Sequence, residues 1–245
     1  MRGLVLFLLC LAGPLMAEEP VSGYEFLLPE TQALQDDEFA NPGMLWVDQG
    51  AALWESEGCA SCHGEASVSM RGVGAHYPVW SEERGRIVTL DQQINLCRSE
   101  RLGQEPWARG ASEMTALDAY IMHQSRGLPV DVAVDGEEEQ AAFERGRVYY
   151  ETPRGQRDLS CANCHIENEG RHLRGEVLSQ GQANGFPIYG QLWQDIGSLD
   201  RMIRWCHESV RAEPPADDDP IWADLEFYLR ARGNGLMVET PAVRR

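Results

Sequence analysis

Two pentapeptides limit what this chain can become: Cys59-Ala60-Ser61-Cys62-His63 and Cys161-Ala162-Asn163-Cys164-His165. Two thiols three positions apart, with a histidine directly after the second, fit covalent attachment of a haem. Each cysteine adds to one vinyl group and the histidine reaches the iron as proximal ligand. Six cysteines follow residue 17, and in an exported chain they could instead make three disulfides. The same pattern written twice argues against that. Zinc fits poorly, because a structural site takes two close ligand pairs within one small unit. The expectation is two covalent haems, attached at Cys59, Cys62, Cys161 and Cys164, with His63 and His165 on the irons.

The flanks of the motifs repeat as well. Gly50-Ala51-Ala52-Leu53-Trp54 precedes the first motif and Gly146-Arg147-Val148-Tyr149-Tyr150 the second. On a helix the glycine and the aromatic four places later share a face, so another helix can cross closely there. After the motifs, Tyr77-Pro78-Val79-Trp80 matches Phe186-Pro187-Ile188-Tyr189. The stretch from Thr89 to Cys97 matches the one from Ser198 to Cys206, each opening on an N-cap residue with aspartate in the first turn. Leu117 to Ile121 matches Leu225 to Leu229, both reading Leu-acid-x-Tyr-apolar, and each half closes on Gly-Leu. Strand signals are weak, apart from a short hairpin near 171–178. This order resembles the class I cytochrome c fold, duplicated. The expected architecture is mainly α, with two tandem cytochrome c-like domains at 46–130 and 141–245, joined by an acidic linker at 131–140.

Residues 1–17 read as a secretory signal: Arg2, an apolar run from Leu4 to Leu11, and Leu15-Met16-Ala17 before the cleavage point. The run is shorter than the ~20 residues of a bilayer span, and no later segment could span a membrane. The expected location is the periplasm. Residues 18–45 read as an irregular acidic arm that wraps a neighbour. The whole chain carries −18, and losing Arg2 with the signal gives −18 − 1 = −19. Such acidity argues against nucleic acid or an anionic membrane as partner. A small anion bound by local arginines remains compatible with it.

The lone cysteines Cys97 and Cys206 occupy the same place in the two halves. A thiolate binds ferric iron and lowers its potential, so both are expected to be sixth haem ligands. Met70, Met114, His76, His123 and His207 are competing ligands, and a Cys97–Cys206 disulfide is a further alternative.

The run from Arg201 to Pro214, the Leu225-Glu226-Phe227-Tyr228-Leu229 and Gly233-Asn234-Gly235-Leu236 segments, and the ending from Thr240 to Arg245 together resemble the SoxA family. These are dihaem cytochrome subunits of the SoxAX enzyme of bacterial thiosulfate oxidation. Asn95 to Arg101 resembles the family's first cysteine segment. The resemblance implies an L-cysteine S-thiosulfotransferase that joins thiosulfate to a cysteine of the carrier protein SoxYZ. Electrons pass through haem, and the monohaem cytochrome SoxX is the partner subunit. It also implies that Cys206 is the catalytic thiol, carried as a persulfide.

The second half replaces Gln92 and Asn95 with Arg201 and Arg204. Guanidinium groups bind oxyanions bidentately, so Arg201, Arg204 and Arg211 are candidates for the substrate anion. Positions two and five before Cys206 fall on the far side of an ideal helix. The family resemblance implies a substrate arginine four before the cysteine, where this chain has Met202. A thiosulfate dehydrogenase forming tetrathionate and a plain dihaem electron carrier are the alternative functions.

Overall fold

A computed structural model describes residues 19–173 and 175–245. The expected signal segment lies outside the described residues. After a 3-10 turn (Gly23–Phe26) come α1 (Pro29–Asp36), α2 (Met44–Ser56), α3 (Cys59–His63), α4 (Ala66–Ser69) and α5 (Val73–His76). The hairpin of β1 (Val79–Ser81) and β2 (Arg86–Val88) leads into α6 (Leu90–Leu96), a π-wound turn (Cys97–Arg101) and α7 (Ser112–His123). The second half opens with α8 (Glu137–Glu151) and α9 (Cys161–His165). Next are the hairpin of β3 (His172–Leu173) and β4 (Glu176–Val177), then β5 (Ile188–Gly190) and β6 (Asp195–Gly197). It ends with α10 (Leu199–Val210), α11 (Ile221–Ala231) and β7 (Ala242–Arg244).

The glycine-to-aromatic pattern does what its spacing suggests. A Cβ on Gly50 would sit 2.5 Å from Tyr120 Cβ and inside the radius of the Ala116 carbonyl oxygen. On Gly146 it would sit 2.7 Å from Tyr228 Cβ and against the Asp224 carbonyl oxygen. So α2 crosses α7, and α8 crosses α11, at a distance open to glycine alone. Trp54 and Tyr150, each four residues on, are fully buried beside the crossings. Thr89 forms a capping box with Gln92, and the Ser198 hydroxyl accepts from the Arg201 amide, so both cysteine helices start where their caps stand.

Strand is richer than the sequence suggested. β1 and β2 recur as β5 and β6 at one offset, 188 − 79 = 195 − 86 = 109 residues. Two-residue and three-residue strands carry too few alternations to show a period in sequence. β7 joins β5 in parallel, from the far end of the chain.

The halves do not keep separate cores. Ala223, Phe227 and Ala231 of α11 pack in one cluster with Trp54, Leu117 and Met122 of the first half. The 131–140 segment is fastened rather than free. The Asn234 side chain accepts from the Val132 amide and donates to its carbonyl, both at 2.9 Å, and α8 begins within the segment at Glu137.

The N-terminal arm differs most from expectation. It is built from the 3-10 turn and α1, and it grips its own chain. Buried Gln35 accepts from the Val243 amide (3.0 Å) and from Arg244 Nη1 (2.7 Å), while Asn41 donates to the Pro241 carbonyl (2.9 Å). Unpaired strand edges attract partners, and α1 lies along β7.

Candidate functional site

In the second half, α9 presents Cys161 and Cys164 one turn apart, with His165 at its end. The helix is short, and a Ser160–Asn163 capping box holds its first turn. His165 Nδ1 lies 2.8 Å from the Ser179 carbonyl oxygen and donates to it. That bond fixes the tautomer and leaves Nε2 as the free ligand nitrogen. Gly181, at φ +68°, lies flat against the ring, where a Cβ would come within 2.8 Å of Cγ. Burial lowers the imidazole's pKa, which keeps it neutral, the form that binds metal.

Cys206 faces this motif. Burial pushes its thiol up to about 12, and the Cys161 and Cys164 thiols add to the effect. The side chain nonetheless keeps some accessible surface. A histidine with a bonded Nδ1, a glycine cradle and two attachment thiols together fit a covalent haem at Cys161, Cys164 and His165.

In the first half, Cys59 and Cys97 approach each other closely enough that the Cys97 charge adds to the burial that raises Cys59. Cys62 and His63 are exposed. Trp54 supports the turn, donating to the Gly64 carbonyl (3.0 Å) with its ring 5.7 Å from that of His63. The described cysteines carry free thiols.

Of the competing histidines, His207 is buried, with Nδ1 2.8 Å from the Ile203 carbonyl and Nε2 2.8 Å from the Tyr149 hydroxyl, so both ring nitrogens are taken. His76 Nδ1 meets the Asp131 carbonyl (2.9 Å) and His123 Nδ1 the Thr240 carbonyl (3.1 Å), bonds that leave Nε2 available as in His165, and Met114 is buried in the shared core.

The arginines expected at Cys206 are not beside it. On α10 the face of Leu199, Met202 and Ile203 packs inward with Cys206, and the arginines lie behind it. Arg201 Nη1 binds Asp195 (2.7 Å) and the Ile196 carbonyl (2.9 Å), with its guanidinium 4.5 Å from the centre of the Trp193 ring. Arg204 binds Asp200 (2.9 Å) and Asp217 (2.7 Å) over the Trp222 ring. Arg211 ends the helix at φ +57° and reaches Gln156 (3.3 Å). No guanidinium among the described residues offsets the raised Cys206 pKa.

Two other arginines stand at the second site, and the repeat comparison missed them. Arg154 Nη1 is 3.8 Å from Cys161 Sγ, and its guanidinium lies 4.0 Å from the centre of the Tyr149 ring. Arg232 binds the Tyr150 hydroxyl (2.8 Å) and the Gln180 carbonyl (3.1 Å), and its charge reaches His165. Both lie outside the aligned segments, one in the loop before the motif and one just past α11. A search for second-half arginines near each motif, rather than near the cysteine, would have found them.

Known proteins resemble this chain in sequence and fold. Residues 49–130 match the family model described as SoxA/TsdA, cytochrome c domain. The L-cysteine S-thiosulfotransferase subunit SoxA of Pseudaminobacter salicylatoxidans is 43% identical, over 93% of this chain and 82% of its own. The subunit of the same name from Rhodovulum sulfidophilum is 42% identical, over 93% and 81%. The crystal structure of SoxXA from P. pantotrophus superposes with a TM-score of 0.88 at 36% identity, covering 92% of this chain and 87% of that one.

Proposed function

Since the chain belongs to the SoxA family, we propose that it is the thiosulfotransferase subunit that conjugates thiosulfate to a cysteine of the SoxYZ carrier, with Cys206 as the reacting thiol. The observation that carries this reading is the nearness of Cys206 to Cys161 and Cys164, whose motif ends on the oriented His165. The family's cytochrome c domain calls for haem. Two are proposed, one attached at Cys59 and Cys62 with His63 and Cys97 on the iron, the other at Cys161 and Cys164 with His165 and Cys206.

Joining a carrier thiol to thiosulfate forms one S–S bond and releases one proton and two electrons. When bound, the haem supplies the acceptor for those electrons. The chain supplies the rest. His165 is held in one tautomer by the Ser179 carbonyl, and Cys206 lies on the α10 face that carries buried Leu199 and Ile203. Cys206 sulfur takes the sulfur unit and hands it to the carrier thiol by thiol–disulfide exchange. An anion approaching this side meets Arg154 and Arg232 rather than Arg201 and Arg204, and Arg211 stands at the helix end.

SoxX is the proposed partner, as the matching SoxXA structure suggests, and the periplasm the proposed location. Among the described residues no helix is long and apolar enough to cross a membrane. The test is conjugation of thiosulfate to SoxYZ by the Cys206→Ser holoprotein with SoxX. Loss of the conjugate supports the covalent role, and an undiminished rate rejects it. Tetrathionate formed without carrier would identify a thiosulfate dehydrogenase instead.

A further inference from the structure

The internal duplication brings equivalent carboxylates face to face. Asp91 opens α6 and Asp200 opens α10 at the same repeat position, and Asp118 and Glu226 are the matching acids of α7 and α11. All four border one buried cavity of about 40 Å³ in the seam between the halves, room for about two or three waters.

A second observation marks this cavity as a site. Arg230, on α11, borders it and is 5% exposed, yet its Nε and Nη1 have no hydrogen-bond partner. Its Nη2 reaches the Phe186 carbonyl at 3.3 Å, and Glu226 Oε1 stands 4.0 Å from Nε, too far for a direct bond. Asp118 Oδ1 is likewise buried without a partner. Buried groups of this polarity are satisfied by something, and a gap of this size between donor and acceptor is the span of a bridging water. Among the described residues no group of three or more acids, cysteines or histidines could hold a metal ion.

The cavity also has an open neighbour. A larger open cleft, about 450 Å³, shares Arg109, Thr115, Ser198 and Asp200 with it. Arg109 Nη1 and Arg204 Nε both bind Asp200, at 3.2 and 2.9 Å, so an ion-paired group stands where the two spaces meet.

We propose that the seam is a proton-binding site fed with water from this cleft, in which Glu226 gains and loses the proton, Asp118 faces it across the cavity, and Arg230 anchors the bridging water. The groups facing Glu226 are Asp91, Asp118, Asp200 and Tyr77 on one side of the balance and Arg109 and Arg230 on the other. Burial raises the Glu226 carboxyl to about 7, with Asp91 and Asp200 adding to the rise and Arg230 and Arg109 opposing it. Burial also raises Asp118 well above the ordinary aspartate value, with Arg230 opposing the rise. A carboxyl raised in the folded state binds more protons folded than unfolded. Its stabilising share is fully present below the ordinary glutamate value of 4.5 and is lost as pH rises through about 7.

The experiment uses the full-length holoprotein. Infrared titration of the native protein should show a protonated carboxyl carbonyl band that fades as pH rises through about 7. Glu226→Gln should lose that component. The melting temperature of Glu226→Gln, relative to native, should rise across the same window, because the variant has no ionisation to resist. A native spectrum with no carboxyl titrating there overturns the proposal without any variant. So does a Glu226→Gln difference that is flat from about pH 5 to 8. Neither readout depends on turnover, so failure here leaves the sulfur-transfer reading standing.

Discussion

In the first half His63 is exposed, with the Trp54 ring beside it, while in the second half His165 is held by the Ser179 carbonyl and covered by Gly181. The cysteine helices differ in the same sense. Leu96 ends α6 and Cys97 opens a π-wound turn, whereas α10 runs α-helical through Cys206 to Val210. The end of α10 is then clasped by the loop at Gly155: the Gln156 amide donates to the Arg211 carbonyl (3.2 Å) and the Arg157 amide to that of Val210 (3.3 Å). One difference in length underlies much of this. From motif histidine to proline the first half spans 78 − 63 = 15 positions and the second 187 − 165 = 22. The seven extra positions (22 − 15) make room for the β3–β4 hairpin and the Ser179–Gly181 strip behind the histidine. A duplicated scaffold has one end kept open and the other closed around a thiol, which suits electron passage and covalent chemistry respectively.

The sharpest way to break this comparison is to remove each lone thiol in turn. Cys206→Ser should lower thiosulfate conjugation by about 10³-fold or more, as loss of a covalent nucleophile does. Cys97→Ser should leave conjugation within a few-fold and alter the optical spectrum of the first site. Equal losses in the two variants would erase the distinction between the halves.

Next comes stability. Gly146→Ala and Gly50→Ala should each cost about 1–3 kcal/mol in urea unfolding, since each methyl meets a backbone carbonyl of the crossing helix. Similar losses would show that the halves share one mode of packing. Gly181→Ala has no first-half counterpart. It should cost about 1–3 kcal/mol from its left-handed backbone and shift the second site's spectrum while leaving the first unchanged.

The smallest effect separates the arginines. Arg201→Gln and Arg204→Gln break carboxylate pairs in the seam cleft and should change KM for thiosulfate less than Arg154→Gln does. A larger rise in KM from Arg204→Gln than from Arg154→Gln would return the anion to the α10 arginines.

The repeat made most of the scaffold readable, because glycine crossings, N-caps and attachment motifs each have a local physical cause. The same repeat pairs Cys206 with Cys97 and His165 with His63. The arginines were not readable in this way. A guanidinium two positions from a cysteine is near it in sequence and behind it on a helix, while Arg154 and Arg232 reach the motif through folds of the chain that no local spacing reports. Ser179 was hidden differently: it acts through its carbonyl, which every residue has. The seam carboxylates were visible singly, but only the packing of one half on the other gathers the four acids around one cavity.

The clasp between the N-terminal arm and β7 has a consequence in time. Its hydrogen bonds join residues some two hundred apart, Gln35 to Val243 and Asn41 to Pro241, and contacts of such separation form late. A chain emerging from one end cannot make them until its last residues arrive. The strand that completes the second half's sheet is also the one the arm is waiting for. The interval before closure leaves β5 without its parallel partner and the second half's sheet one strand short.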